Sequence, residues 1–502
     1  MKEKGSKTIN IFKKLFLLVL ITLSIIFSGC NLIIIDNGAN NTLVREDEVF
    51  TIYTVNDFHG CIFENGNQAG ISKIGKFLHD EKENNPDNVI ILSAGDMFQG
   101  TLVSSFTRGE AVLKCMNYIG FDAMAIGNHE WDWGIEEILK YQDGDQSNGE
   151  ADFPFLTSNV KYKPTGQLAS WATPYTVIER SGYRFGIIGS IGEDEINDIL
   201  ATYVEDYEFT DEFGAIKKYT KILREKEKCD FVIVVSHNDT TKVNVALASL
   251  SDEYKIDAII NGHTHQAYYG LLNYGDRLCG VPYIQSGCYG SYVGKITLEL
   301  KYGELLLSDA INIKASTNFQ ERSKEIDNII NNYSYEIALA NEELGLCGET
   351  MYKNEGGIFA ANALLGRDGA VVGVCNSGGI RSNAFPINKG AMITYGDVFE
   401  IMPFENTVVV SSILGKDLIR LFGYSGLYFS SNVDTKKLTV DGNKVDEDQY
   451  YRVASIDFLF AKNSYPFRNG KDIVLTGILF RDVIKDAIKE NAEKNGKFYY
   501  YK

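Results

Sequence analysis

Short apolar runs separated by polar loops recur along the chain from Val49 onward. Most runs are continuous and rich in β-branched residues, which is typical of strands covered on both faces. The predicted strands are 51–55, 89–92, 123–126, 231–235 and 258–260. Segment 71–83 instead has apolar residues at helical spacing, although Gly75 is unfavourable inside a helix. The pattern predicts an α/β domain.

A second series of predicted helices and strands begins near residue 318. Residues 318–344 have helical spacing and many charges, with no Pro or Gly before Gly345, which predicts a linking helix. Beyond it, residues 356–365 are predicted to be helical and residues 370–374 to form a strand. The predicted organisation is therefore a first domain at 49–315, a linking helix at 316–346 and a second domain at 347–502.

Five of the six histidines follow the apolar runs and stand beside an Asp, Asn or Gly. They are His59, His129, His237, His263 and His265. Histidines used only for packing would fall on strand and helix faces, whereas these fall where the chain turns and functional residues concentrate. The turns follow the carboxyl ends of predicted strands, where α/β sheets bind ligands. His79 lies inside the predicted helix and is interpreted as an ordinary, partly exposed histidine.

Asp57 and Asp96 stand in similar turns and add carboxylates to the histidines. Imidazole and carboxylate together bind metals such as Zn, Mn, Fe or Co. So many groups exceed the needs of one ion. They suit two divalent ions that share a bridging carboxylate, the arrangement that clamps an in-line displacement at phosphorus.

The balance of charge restricts the partners. The chain carries 49 Lys and Arg against 67 Asp and Glu, a formal net charge of -18. This argues against a surface that binds a nucleic acid polymer. An anionic substrate must therefore be attracted locally, by metal ions and by suitably placed arginines.

The N-terminus is predicted to be a targeting segment. Several lysines precede the apolar run 15–27, which is followed by Ser28-Gly29-Cys30. This is the pattern of a secretory signal and is short for a membrane span. The ending resembles a bacterial lipoprotein cleavage box, which predicts a signal peptide at 1–29, a tether at 30–48 and a cell-surface lipoprotein anchored only through lipid on Cys30. The alternative is an uncleaved membrane anchor.

Seven of the eight cysteines remain after Cys30, and an odd number cannot all pair within one chain. None lies in a Cys-x-x-Cys pair or in the metal motifs. They are interpreted as mostly buried thiols, and a bridge between Cys279 and Cys288 is left open.

The motifs in the first domain resemble those of the calcineurin-like metallophosphoesterases. They are Asp57-Phe58-His59, Gly95-Asp96, Gly127-Asn128-His129-Glu130, the run at His237 and Gly262-His263-Thr264-His265. Three motifs in the second domain resemble the C-terminal domain of bacterial and animal 5'-nucleotidases. They are Asn376-Ser377-Gly378-Gly379-Ile380-Arg381, Met402-Pro403-Phe404-Glu405-Asn406 and Ile456-Asp457-Phe458-Leu459. The resemblance implies a four-layer αββα sandwich with a smaller α+β substrate-binding domain joined by a helix.

The resemblance also implies a role for each residue. Asp57, His59 and His265 would hold one metal ion, Asn128, His237 and His263 the other, and Asp96 would bridge both. His129, paired with Asp132, would stabilise charge on the phosphoryl oxygens and assist the leaving alkoxide. The attacking species would be a metal-bound hydroxide, because the metal lowers the pKa of water. The identity of the metal, Zn, Mn or similar, stays open.

In the second domain the resemblance implies substrate contacts from Asn376, Gly379, Arg381, Phe404 and Phe458. The planar guanidinium of Arg381 suits a phosphate. The two phenylalanines would sandwich a base, and core packing is the alternative for both.

The second domain also departs from the family. Lys353 stands near a position where members often carry Arg, and Lys462-Asn463-Ser464 replaces a Gly-Gly-Asp turn whose Asp holds the ribose. We expect a hydrolase of phosphate esters, with nucleoside 5'-monophosphates as substrates. The alternatives are a nucleotide-sugar or 2',3'-cyclic nucleotide hydrolase, and a surface binding protein with a vestigial metal site.

Overall fold

The computed structural model describes residues 43–238, 241–274 and 279–501, together with the backbone of residues 32–34. The predicted signal peptide 1–29 and Cys30 lie outside these residues, as does most of the predicted tether. Strands β1 (Leu32–Ile34) and β2 (Leu43–Arg45) pair antiparallel within the tether. Among the described residues, no helix combines the length and apolarity that a membrane crossing requires.

The first domain is built on two six-stranded sheets. The first has the order β17-β16-β3-β4-β5-β6. Its strands are β3 (Glu48–Thr54), β4 (Val89–Ser93), β5 (Ala123–Ala125), β6 (Phe155–Leu156), β16 (Tyr292–Lys301) and β17 (Glu304–Lys314). Strands β3 to β6 are parallel, so their carboxyl ends share one edge.

The second sheet has the order β14-β15-β13-β12-β10-β9. Its strands are β9 (Tyr175–Arg180), β10 (Tyr183–Ile191), β12 (Phe231–His237), β13 (Ala258–Asn261), β14 (Ala267–Leu272) and β15 (Val281–Ser286). Strands β10, β12, β13 and β15 are parallel. A small third sheet contains β7 (Val160–Tyr162), β8 (Gln167–Leu168) and β11 (Tyr207–Phe209).

Both faces of each large sheet are covered. Buried side chains such as Phe50, Ile90, Phe185 and Ile233 pack between the two sheets. Helices α1 (Gly70–Asn84), α2 (Leu102–Phe106), α3 (Glu110–Ile119) and α4 (Ile135–Leu139) lie on the first sheet, and α5 (Glu212–Glu225) and α6 (Thr241–Ala248) lie on the second. Two-sided burial explains the continuous apolar runs. The predicted αββα sandwich is confirmed.

The second domain has its own five-stranded sheet, with the order β22-β19-β26-β21-β27. Its strands are β19 (Val372–Asn376), β21 (Thr407–Leu414), β22 (Leu427–Phe429), β26 (Tyr450–Ile456) and β27 (Lys471–Leu479). Its helices are α10 (Lys353–Asn362), α11 (Tyr395–Ile401), α12 (Gly415–Phe422), α13 (Asp457–Ala461) and α14 (Phe480–Asn495). Short strands β18 (Glu343–Leu346), β20 (Met392–Thr394), β23 (Val433–Asp434), β24 (Thr439–Val440) and β25 (Asn443–Lys444) complete it.

The two domains pack against each other through side chains from both. Leu102 of α2 belongs to the apolar core of the second domain. The ring of Phe106 lies 5.5 Å from that of Phe399 in α11. Arg108 forms a 2.8 Å ion pair with Glu405. These contacts bring the carboxyl edge of the first sheet towards the second domain.

The prediction of one continuous linking helix at 316–346 is wrong. The segment forms α7 (Ala315–Asn318), α8 (Lys324–Asn331), α9 (Ser334–Ala340) and then β18. The Ser323 side chain accepts the N–H of Ile326 and starts α8 anew, and Tyr333 leaves helical geometry at φ -98° and ψ 37°. The chain turns because α8 packs on α1 and α3, whereas α9 packs on α2 and α11. These partners are remote in sequence.

All seven cysteines after Cys30 are free thiols, and five of them are buried. The Cys279–Cys288 bridge is therefore not formed. Burial in apolar surroundings accounts for most of these residues, as expected.

Gly75 in α1 is explained by packing. A Cβ at this position would lie 2.2 Å from Cδ1 of Ile326 in α8 and 2.9 Å from Cδ1 of Ile119 in α3. The absence of a side chain therefore lets the linking segment approach the first domain.

We predict that Gly75→Leu lowers the free energy of unfolding by about 1–3 kcal/mol through overpacking. Urea denaturation measures the change. Adding Ile326→Ala should recover part of the loss, because it removes the side chain that the leucine displaces. Glu83→Leu, at an exposed position of α1, is the control and should have little effect. Equal losses in both leucine variants would contradict the packing explanation.

Candidate metal and substrate site

The predicted site residues meet at the carboxyl edges of the two facing sheets. Asp57 and His59 follow β3, Asp96 follows β4, and Asn128 and His129 follow β5. His237 ends β12, and His263 and His265 follow β13. Five of them adopt left-handed backbone geometry. Their φ angles are 48° at Asp57, 51° at His59, 55° at Asp96, 80° at His263 and 62° at His265.

The first group consists of Asp57, His59 and His265. His59 Nδ1 donates to the Gln99 carbonyl at 3.0 Å, so its Nε2 presents a lone pair. That Nε2 lies 3.0 Å from Nε2 of His265, which lies 3.6 Å from Asp57 Oδ1. Burial lowers the pKa of His265 to about 3 and that of His59 well below its usual value. Neutral imidazoles and a carboxylate converge, as in a metal site.

The second group surrounds Asn128. His237 Nδ1 donates to the Ala94 carbonyl at 2.7 Å, and its Nε2 lies 2.9 Å from Asn128 Oδ1 and 3.3 Å from Asp96 Oδ2. His263 Nδ1 lies 3.0 Å from the same amide oxygen. Burial alone would lower the pKa of His237, but the Asp96 carboxylate outweighs it and raises the pKa to about 10. The proton on His237 therefore carries the positive charge that a metal ion bound beside Asp96 would supply.

Two buried carboxylates lie between these groups. Asp96 Oδ2 faces His237, and its Oδ1 accepts the backbone N–H of His129 at 2.8 Å. Asp57 is within reach of both groups, because it also clusters with Asp96 and His237. Sequence analysis assigned the bridging position to Asp96 alone, and the structure brings a second carboxylate close to it.

Glu130 is a residue that sequence analysis did not assign. Its buried carboxylate accepts the backbone N–H of Asp96 at 2.8 Å, of Met97 at 2.9 Å and of Gly127 at 2.8 Å. Gly127 leaves room for this arrangement, since a Cβ there would lie 2.3 Å from Asp96 Oδ1. Glu130 therefore ties the loops after β4 and β5 together. The only signal in the sequence was an acidic residue placed directly after His129.

His129 has a different environment from the predicted ligands. Its Nδ1 lies 2.8 Å from Asp132 Oδ2, and its Nε2 lies 4.0 Å from Asp96 Oδ2. Burial opposes protonation, but the carboxylates of Asp132 and Asp96 outweigh it and raise the pKa of His129. The arrangement can hold an imidazolium with one N–H directed into the site.

The second domain forms the facing wall. Arg381 Nη2 lies 3.5 Å from His59 Nε2. The Phe404 ring stacks on the His129 ring at 5.6 Å and 29°. The Lys462 ammonium lies 4.2 Å from the centre of the Phe458 ring. A Cβ on Gly379 would lie 2.8 Å from Asn376 Oδ1, so this turn has no room for a side chain.

A cavity of about 380 Å³ lies between the domains. It is lined by all five predicted substrate-binding residues and by His129 and Asp132. Asp96, Asn128, His263 and His265 also line it, whereas Asp57, His59 and His237 are not part of its lining. The lining further includes Asp198, Leu200, Tyr203 and Glu405, which sequence analysis did not identify. Glu405 stands beside Phe404 in a motif that resembles the 5'-nucleotidase C-terminal domain, whereas nothing in the local sequence distinguishes Asp198, Leu200 and Tyr203 from other surface residues.

Comparison with known proteins identifies both domains. Residues 50–267 match the calcineurin-like phosphoesterase family, and residues 353–469 match the 5'-nucleotidase C-terminal domain. The chain is 27% identical to a 5'-nucleotidase of Vibrio cholerae, covering 88% of this chain and 90% of the relative. It is 26% identical to endonuclease YhcR of Bacillus subtilis and 27% identical to cell wall protein Lmo0130 of Listeria monocytogenes, but it spans only 37% and 63% of those relatives.

A solved structure has the same fold. The crystal structure of a 5'-nucleotidase precursor from Thermus thermophilus superposes with a TM-score of 0.73 at 22% identity. The match covers 88% of this chain and 96% of the other. At this identity the likeness concerns the architecture of the two domains.

We predict that two divalent ions bind per chain. Asp96→Ala should lose both, because its carboxylate lies between the two ligand groups. His129→Ala should retain both, since its imidazole is held by Asp132. Elemental analysis after loading with zinc or manganese and desalting measures the content. His79→Ala, which removes a histidine outside the site, is the control. One ion or none in the wild-type protein would contradict the prediction.

Proposed function

The chain belongs to the calcineurin-like phosphoesterases and carries a 5'-nucleotidase C-terminal domain, and on this basis we propose that it hydrolyses nucleoside 5'-monophosphates to nucleoside and phosphate. The observation that supports this most is the 3.5 Å approach of Arg381 Nη2 to His59 Nε2. One phosphate can then contact a guanidinium of the second domain and the predicted metal ligands of the first.

The ligand set fits two divalent ions, because imidazole nitrogens, an amide oxygen and two carboxylates converge, and a bound cation would take the place of the proton on His237. Such ions, when bound, lower the pKa of a water molecule and neutralise charge on the phosphate. The chain orients the ligands through further contacts. Asn56 Nδ2 donates to Asp57 Oδ2 at 2.5 Å, and the His263 N–H lies 3.0 and 3.1 Å from the two Asp57 oxygens. Contacts of this kind fix the direction of a ligand.

His129 supplies the proton chemistry in this proposal. Asp132 accepts from Nδ1, so a second proton on the ring resides on Nε2 at the cavity surface. From there it can donate to a phosphoryl oxygen and to the departing 5'-oxygen. The Phe404 ring stacked on His129 shields one face of the imidazole from water.

The second domain binds and orients the nucleotide. The fork of Arg381 matches two phosphate oxygens. Phe404 and Phe458 offer aromatic faces along the cavity, and every base has a π face that can stack on them. The cavity volume of about 380 Å³ is in the range of small-molecule sites.

Other functions receive less support. A vestigial site in a binding protein would be free to lose ligands, whereas all seven predicted ligands meet here. A polymer substrate, as the name of the Bacillus subtilis relative suggests for that protein, is disfavoured by the net charge of -18. Nucleotide sugars and cyclic nucleotides remain the alternative substrates for the same site.

We also propose an extracytoplasmic location with a lipid on Cys30. The basic, apolar and small-residue order of the N-terminus supports it, and so does similarity to a relative named as a cell wall protein. Mass spectrometry of the mature N-terminus tests this. An unmodified Cys30 in an uncleaved chain would contradict it.

We predict that His129→Ala lowers kcat on a nucleoside 5'-monophosphate by about 10²-fold or more, the scale of a positioned acid–base group. Asp132→Asn should also lower kcat, because it no longer stabilises the imidazolium. Released phosphate is measured at saturating metal and substrate, with the metal content of each variant checked. His79→Ala is the control. Wild-type kcat in metal-loaded His129→Ala would contradict this role.

We further predict that Phe458→Ala raises KM more than it lowers kcat, because stacking lies away from the phosphorus. Alanine substitution of a stacking ring costs about 1–3 kcal/mol, so KM should rise roughly tenfold. Phe460→Ala is the control: Phe460 lies in the same helix and stacks on Phe467 at 4.8 Å. Ribo- and deoxyribonucleotides should differ little, since Ser464 offers no carboxylate to the sugar. Equal KM changes in both variants would indicate loss of helix α13 instead of loss of stacking.

A further inference from the structure

Three half-buried cations of the second domain lie at or beside residues that line the cavity, and none forms an ion pair with a residue that the structure describes. They are Lys353, Arg381 and Lys462. Within the described residues, none of the three has a carboxylate oxygen within 4.0 Å. Acidic residues that could pair with these cations are abundant, because the chain has 67 acidic residues against 49 basic ones. A partly desolvated cation without a counterion favours the binding of an anion.

Two of these cations lie together. Lys353 Nζ donates a hydrogen bond to Ser382 Oγ at 3.1 Å. Ser382 directly follows Arg381, so the two cations are close to each other. Desolvation and then the charge of Arg381 lower the pKa of Lys353. Arg381 approaches His59 on the metal side of the cavity. Together they mark the position of the phosphate that is hydrolysed.

Lys462 marks the position where a second anionic group of the substrate can bind. Its ammonium lies 4.2 Å from the centre of the Phe458 ring, and Phe458 lines the cavity. Asp198, on the first-domain wall, attracts this charge without forming a close pair, and its side chain is 55% exposed. The turn Lys462-Asn463-Ser464 contains no carboxylate, so this end of the site carries a positive charge.

We propose that the cavity selects nucleotides that carry two separate phosphates, one at the 5' position and one on the sugar, with Lys462 binding the second. This rests on the proposed 5'-nucleotidase activity and deepens it. In the reaction, the oxygen of water bonds to the 5'-phosphorus, the bond from phosphorus to the 5'-oxygen breaks, and that oxygen takes a proton. The products are inorganic phosphate and a nucleoside 3'-monophosphate.

The test compares adenosine 5'-monophosphate with adenosine 3',5'-bisphosphate as substrates of the full-length, metal-loaded protein. We expect kcat/KM for the bisphosphate to exceed that for the monophosphate by about tenfold or more, the effect of a charge-assisted contact. Lys462→Met should remove this ratio, chiefly through KM, and Lys462→Arg should preserve it. Lys436→Met changes an exposed lysine on the β23–β24 hairpin and should leave the ratio unchanged.

The outcomes separate the two levels of the proposal. Hydrolysis of the monophosphate without any advantage for the bisphosphate would overturn the role of Lys462 and leave the proposed function in place. The same ratio in wild type and Lys462→Met would do so too. Hydrolysis of neither nucleotide would overturn the proposed function, and the inference with it.

Discussion

The site depends on one electrostatic constraint: several buried acceptor atoms face one another and need positive charge between them. Asp57 and Asp96 are at most 1% exposed, and the imidazoles of His265 and His237 face them. Removing an ion from water costs several kcal/mol unless an opposite charge compensates. Left-handed backbone at five of the residues adds strain of about 1–3 kcal/mol each. The two packed sheets stabilise this arrangement, which explains why so much apolar surface surrounds so few functional groups.

The second domain completes the site. Phe404 covers His129, Arg381 approaches His59, and the Arg108–Glu405 pair joins the walls beside them. The residues proposed for chemistry are thus in one domain, and those proposed for recognition are in the other. A change in the second domain can therefore alter the substrate without disturbing the metal ligands.

Glu130 and Gly75 illustrate how distant segments are held in register. Glu130 binds three backbone amides of two loops, and Gly75 admits Ile326 from the linking segment. Neither residue is proposed to contact the substrate. Glu130 sets the position of the two loops that carry candidate site residues. Gly75 sets the position of the linking segment between the two domains.

The sequence by itself determined the strands that precede the candidate ligands, the order of those residues along the chain and the two-domain plan. Strand β4 and its Asp96, for example, are encoded locally by an apolar run and the turn that follows it. The candidate metal ligands were predicted because each lies in such a turn, and the candidate substrate-binding residues because their motifs resemble those of the 5'-nucleotidase C-terminal domain. Only the tertiary structure decided that α7, α8 and α9 replace one helix, because their packing partners are far away in sequence. It also decided that Glu130 ties two loops together, that Asp57 is near both ligand groups, and that Asp198, Tyr203 and Glu405 line the cavity. These roles depend on which loops become neighbours in the folded chain, and a local sequence pattern does not predict contacts between distant segments.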